Sequence, residues 1–273
     1  MTATAAEPSW PGELGAATLV DSHCHFNYDG LAGRTPDILD RMAQAGVTRA
    51  LNVCTTLTEA EAVLQTALSD DRLVCSVGVH PDYEDEPEEA SVEALVSRGA
   101  HPRVVAIGET GLDYYRLKGD LEWQRERFRT HIRAARALGK PLIIHTREAA
   151  ADTLRILKEE KAHEVGGVMH CFTESFEVAE AAIEMNFLIS LSGIVTFKTA
   201  VQVHDVARRV PLEHLMVETD SPFLAPVPFR GKTNEPGFTR FVAQRIAELK
   251  ETSLEAVANA TTANFLRFSQ LEA

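Results

Sequence analysis

Eight times along this chain a short apolar, β-branched run gives way to a longer stretch with helical spacing, and nothing else in the sequence limits the fold as tightly. The runs are "ATLVDSHCH", "TRALNVCT", "LVCSVGVH", "RVVAIGET", "PLIIHT", "GGVMHCF", "FLISLSG" and "HLMVETD". After the first comes "TPDILDRMAQAGV", where Ile38, Leu39 and Met42 recur at helical spacing and Gly46 marks the end. Comparable helical patterns follow each later run, and two, "TRFVAQRIAELK" and "LEAVANATTANFLRF", close the chain. Strands alternating with helices imply parallel pairing. Eight such units predict an α/β fold, a closed (β/α)8 TIM barrel, and 273 residues suit one barrel as a single domain. A doubly wound open sheet is the competing architecture, and it calls for a glycine-rich nucleotide loop after an early strand, which the sequence does not carry. The expected organisation is a single barrel over residues 18–273 behind a poorly ordered, small-residue tail over residues 1–17.

In such a barrel, chemistry is built at the C-terminal ends of the strands. His23 and His25 fall at the end of the first strand, Glu109 at the end of the fourth, His145 the fifth, His170 the sixth and Asp220 the eighth. Strand alternation points His23 and His25 the same way and Cys24 the other, into packing under the helices. A carboxylate at the edge of an apolar run is costly unless paired or metal-bound. Four imidazoles and two carboxylates on one rim make a set able to hold two divalent ions. His101, His131, His163, His204 and His214 lie in loops, in helices or ahead of a strand and read as ordinary structural histidines.

Composition narrows the function classes. No apolar run approaches the roughly 20 residues needed to span a bilayer. The N-terminus lacks the basic-then-apolar pattern of a secretion signal, so a cytoplasmic enzyme is expected. Cys24, Cys54, Cys75 and Cys171 each sit within a strand-like run, as reduced packing cysteines do. The net charge of −13, from 40 acidic against 27 basic residues, argues against a broad basic face for long nucleic acid.

With these residues placed, the chain resembles the TatD family of metal-dependent hydrolases and deoxyribonucleases, within the wider amidohydrolase-type barrels. The segments that carry the resemblance are "DSHCHF", "GVHP", "IGETGLDYY", "KPLIIHTREA", "GGVMHCFT", "SLSGIVTFK" and "VETDSPFLAPVPFRGKTNEP", spanning residues 19 to about 240. Asn27 stands where an Asp often follows the histidine pair, and Asp82 where His is common after "GVHP". The resemblance implies one metal on His23, His25 and Asp220, a second on His145 and His170, and Glu109 bridging them. It also implies hydrolysis of DNA phosphodiesters, often by trimming strands from the 3′ end.

A water activated between two such ions would attack the phosphorus in line, with Asp220 as candidate proton acceptor or as ligand only. Arg147, two residues beyond His145, offers a fork for phosphate, or else a structural salt bridge to Glu148. Arg230 and Lys232 flank Gly231 in "PFRGKTNEP", where close approach to an anion is easy, although a solvated turn fits Lys232 equally. His80 can contact substrate or support a ligand, and Tyr114 or Tyr115 can stack on a base or pack on the rim. Against an acidic background these groups suit strand ends or short single strands better than long duplex. Imidazole ligands favour Zn, Mn, Fe or Co over Mg. Two alternatives stay open: a metal-dependent amidohydrolase or esterase acting on a small molecule or an aminoacyl-tRNA ester, and a barrel whose metals are structural.

Overall fold

The computed structural model describes residues 9–85 and 87–272. Its eight strands are β1 (Leu19–Cys24), β2 (Val47–Asn52), β3 (Leu73–Val77), β4 (Val104–Asp113), β5 (Leu142–Arg147), β6 (Gly167–Met169), β7 (Phe187–Leu191) and β8 (Leu215–Val217). They form one sheet in the order β1 to β8, and each pairs in parallel with the next. The barrel closes just beyond β8, where Asp220 N–H donates to His23 O at 2.9 Å and His25 N–H to Ser221 O at 2.8 Å. The (β/α)8 architecture expected from the alternation is the one observed.

The connecting helices are α1 (Thr35–Ala45), α2 (Ala60–Leu68), α3 (Val92–Gly99), α4 (Glu122–Leu138), α5 (Ala150–Glu159), α6 (Phe176–Glu184) and α7 (Val201–Arg209). Two more, α8 (Thr239–Leu249) and α9 (Leu254–Ser269), follow β8. Local chemistry sets their ends. Ser91 and Ser253 cap α3 and α9 by accepting from the N–H groups of Ala94 and Ala256. Gly46 and Gly139 end α1 and α4 in left-handed geometry, which glycine adopts without steric cost. Among the described residues, no helix is long and apolar enough to cross a membrane.

Two apolar layers result. One lies between strands and helices and includes Leu19, Cys24, Met42, Ile107, Phe128 and Ile156. The other fills the barrel with inward residues such as Val20, Leu51, Val74, Ile143, Leu188 and Met216, and Phe265 and Phe268 of α9 plug it from below. Each fully buried phenylalanine contributes about 1.5–3 kcal/mol from area removed from water.

Of the poorly ordered tail expected over residues 1–17, the described part is packed on the barrel. Residues 1–8 lie outside the described residues, but the stretch from Trp10 to Ala17 is docked. The Trp10 ring packs 6.3 Å from Phe238 and 5.9 Å from Phe241, and Leu14 is buried. Arg240 donates to the carbonyls of Pro11 at 2.8 Å and Gly12 at 2.6 Å. The small-residue composition conceals two large apolar anchors, Trp10 and Leu14.

Candidate metal centre at the barrel mouth

Side chains reach the mouth because two strands break their alternation. On β1, Asp21 pairs with Ala50 and Cys24 with Asn52, so three steps on β1 oppose two on β2. This bulge resets the parity. Val20 points into the barrel below it, while above it Cys24 turns into the helix layer and donates its S–H to Leu51 O at 3.3 Å. His23 and His25 therefore share the inner face, with their Nε2 atoms 3.3 Å apart. On β4, Ile107 pairs with Leu142 and Thr110 with Ile144, a second bulge that carries Glu109 inward. Just above it Gly111 approaches β5 so closely that a Cβ there would stand 2.0 Å from the His145 carbonyl oxygen.

Glu109 is the hub. Its Oε2 lies 3.3 Å from His23 Nε2, and its Oε1 lies 2.8 Å from His170 Nε2, 3.2 Å from His145 Nδ1 and 3.3 Å from His80 Nε2. Asp220 Oδ1 lies 3.4 Å from His25 Nε2 and 3.8 Å from His23 Nε2. Among the described residues, three sets lie close enough to hold a metal ion: His23, His25 and Asp220; His23, Glu109 and His170; and His80, Glu109 and His145. Thus all six ligand candidates named from sequence meet in one pocket, and His80 joins them.

Burial by itself raises both carboxylates, but the surrounding imidazoles win. His170 and His80 hold Glu109 well below the usual carboxylate range, and a hydrogen bond from His25 lowers Asp220. Burial likewise depresses the histidines, yet Glu109 and Glu218 carry His170 well above its ordinary value, and Asp220 raises His25. A divalent cation would balance these carboxylates, and the donor set suits one: His170 Nε2, although 2.8 Å from Glu109 Oε1, is buried without an aligned hydrogen bond. The residues fit the metal ions that the fold family implies.

Behind the inner ring stands a second set of groups, which fixes ring orientation. His25 Nδ1 donates to Val53 O at 3.2 Å. His145 Nε2 donates to Asp113 Oδ2 at 3.0 Å, and His170 Nδ1 to Glu218 Oε1 at 3.3 Å. Burial pushes the Asp113 carboxyl up, but His145 and the N–H groups of Arg116 and Tyr115 outweigh it and bring it down to about 2. Glu218 also accepts from Cys171 N–H at 2.8 Å. Asp21 ties β1 to the segment after β8 by accepting from Thr219 N at 2.9 Å and Thr219 Oγ1 at 2.5 Å. Asp113, Glu218 and Asp21 are functional groups that sequence alone does not single out. The signal was present: each sits inside one of the motifs "GLDYY", "VETD" and "DSHCH".

The candidate substrate contacts fare unevenly. Arg147 lies at the rim with its guanidinium 3.8 Å over the Tyr115 ring, and Glu148 pairs with Lys118 instead. Arg230 is exposed and stacks 4.2 Å over Phe197, while Lys232 is exposed 5.9 Å from the Phe229 ring. Tyr114 is a correction. Its hydroxyl donates to Asp152 at 2.6 Å and accepts from Arg125 at 3.1 Å, on the helix side. Neighbouring positions at a strand end face opposite ways, so it is Tyr115, 53% exposed, that stands on the rim. Asn27 turns away from the mouth, accepting from Asn52 at 2.8 Å.

The comparisons with known proteins agree with this geometry. The TatD related DNase family matches residues 20–270. YcfH of Escherichia coli K12, named an uncharacterized metal-dependent hydrolase, is 47% identical over 93% of this chain and 97% of its own length. YabD of Bacillus subtilis, named likewise, is 40% identical over 93% of this chain and 99% of its own. The crystal structure of YjjV, a TatD homolog from Escherichia coli K12, superposes with a TM-score of 0.86 at 28% identity, covering 93% of this chain and 98% of that one. With a family match over nearly the whole chain and relatives at this level of identity, the protein belongs to the TatD family of metal-dependent hydrolases.

Proposed function

We propose that the protein is a deoxyribonuclease that hydrolyses phosphodiester bonds at DNA strand ends or in short single strands, as a 3′–5′ exonuclease. The observation that carries this reading is Glu109, set between His23 on one oxygen and His145 and His170 on the other, with Asp220 beside His25. Two divalent ions, from among Zn, Mn, Mg, Co and Fe, would be held by His23, His25 and Asp220 and by His145 and His170, with Glu109 shared. When bound, such ions lower the pKa of water and neutralise phosphoryl charge. Asp220, which His25 and His23 lower against the effect of burial, would accept the proton of the attacking water.

Arg147 and Arg230 supply fixed guanidiniums for phosphate oxygens, each preoriented on an aromatic ring. Tyr115 presents an open face for a base. On another side of the mouth, the loop between β3 and α3 carries the exposed Glu84 and Asp85, which repel a long polyanion and favour a short end, while Glu88 and Glu89 are paired with Arg98 and Arg127. DNA is therefore the proposed partner, as substrate.

The test is a panel of labelled single-stranded DNA, duplex DNA, RNA and small esters with Mg²⁺, Mn²⁺, Co²⁺ and Zn²⁺, run beside Asp220→Asn. Single-stranded DNA should be shortened from its 3′ end, and Asp220→Asn should be inactive. Arg147→Ala should slow DNA cleavage roughly 100-fold, as expected for losing a charged bidentate contact. Preferred cleavage of a neutral ester, indifferent to Arg147, would replace this reading with the esterase one.

A further inference from the structure

By distance alone His80 belongs with Glu109 and His145 as a third metal-holding set. Hydrogen bonding says otherwise. A neutral imidazole has one N–H and one lone pair, and whatever occupies one nitrogen fixes the other. Carbonyl and carboxylate oxygens only accept. So Val53 O requires the proton on His25 Nδ1, Asp113 requires it on His145 Nε2, and Glu218 requires it on His170 Nδ1. Each of these rings then turns a bare nitrogen into the mouth, as a metal ligand must.

His80 is wired the opposite way. Its Nδ1 accepts from the backbone N–H of Asp82 at 3.1 Å. The Asp82 carboxylate, 3.7 Å away, is engaged by Arg116 and offers Nδ1 no competing acceptor at hydrogen-bond distance. The proton of His80 therefore sits on Nε2, in the space that Glu109 Oε1 and His145 Nδ1 also face, each 3.3 Å away. A nitrogen bearing that proton has no lone pair for a cation. The backbone that carries the ring is also held in place, because the main-chain N–H of His80 donates to Thr55 O at 2.9 Å.

We infer that His80 is not a metal ligand but the fixed N–H donor of the mouth, which holds a phosphoryl oxygen of the bound substrate through Nε2. This rests on the phosphodiester reading above for the identity of the anion, while the tautomer argument stands without it. The rings whose outer nitrogen is engaged thus divide by tautomer into three, His25, His145 and His170, that grip cations and one, His80, that grips the anion.

The test uses zinc-loaded protein and inorganic phosphate as the probe. Long-range proton–nitrogen spectra of ¹⁵N-histidine protein should show His80 protonated at Nε2 and bare at Nδ1. His80→Met should keep the wild-type zinc content and bind phosphate roughly 10- to 100-fold more weakly, the range for a hydrogen bond to a charged group. His80→Gln, which restores an N–H at the tip, should recover most of that affinity with unchanged zinc. Loss of a zinc equivalent in either variant, a bare Nε2 in the spectra, or phosphate affinity indifferent to His80→Met would overturn the inference, as would a wild-type protein that binds no phosphate. Should His80→Met not fold, the spectra of the wild-type protein still decide. None of these measurements uses DNA, so a protein that passes them yet leaves DNA intact sinks the nuclease reading alone.

Discussion

At the lower end of the barrel, Val20, Leu51, Val74 and Met216 meet Phe265 and Phe268 in a dry apolar plug. Three residues above Val20 on the same strand stands His23, fully buried among His25, Glu109 and His170. Floor and mouth share one barrel wall and are both buried, yet one is hydrocarbon and the other is charged. The difference lies in who satisfies the buried groups. The floor needs no partners beyond dispersion and exclusion of water. The mouth needs every carboxylate balanced by an imidazole and nearly every imidazole by an outer acceptor. Bulges in β1 and β4 mark the boundary, and they let one continuous wall serve a stable core below and a reactive pocket above.

This division predicts that damage at the mouth removes activity and damage at the floor removes stability. The largest effect is expected for Glu109→Gln. Loss of the shared carboxylate should remove several kcal/mol of transition-state stabilisation, which is about 10³-fold or more in kcat. Its circular dichroism and cooperative urea transition should remain those of a folded barrel. An inactive Glu109→Gln that is also unfolded would erase the distinction. Next in size is Phe265→Ala, which empties the plug. Urea denaturation should show a loss of about 3–5 kcal/mol, while kcat per folded molecule stays at the wild-type value. A fall in kcat without a fall in stability would mean that the floor transmits its packing to the mouth.

Much of this was legible in the sequence, for a physical reason. Eight apolar runs spaced by amphipathic helices leave few other ways to bury themselves, and a polar residue ending an apolar run advertises itself. That is why the sequence alone gathers His23, His25, Glu109, His145, His170 and Asp220. The bulges were not legible. A parity break changes no composition, so strict alternation counted from Val20 would have turned His23 outward. The outer acceptors were hidden for another reason. Asp113 meets His145 only through the β4–β5 register, in which Gly111 faces His145, and Glu218 meets His170 across two strands. Tyr114 and Tyr115 are chemically alike neighbours, and only the strand's exit direction decides which reaches the rim. At the other end of the chain, Trp10 and Leu14 were masked by the alanines and glycines around them.

The smallest expected effect locates the boundary itself. Ser22 Oγ and Ser190 Oγ meet at 3.1 Å inside the barrel, both buried, above the apolar plug and below the histidines. Ser190→Ala would strand the Ser22 hydroxyl in a dry interior and should cost about 1–2 kcal/mol in urea denaturation. The double variant Ser22→Ala/Ser190→Ala removes both partners, leaves no orphaned hydroxyl and should regain most of that loss. If the pair belongs to the floor, kcat stays within about twofold in both variants, because no ligand-bearing ring depends on either hydroxyl. If kcat falls severalfold while stability recovers in the double variant, the serines belong to the mouth, and the reactive pocket begins one layer deeper than the bulges place it.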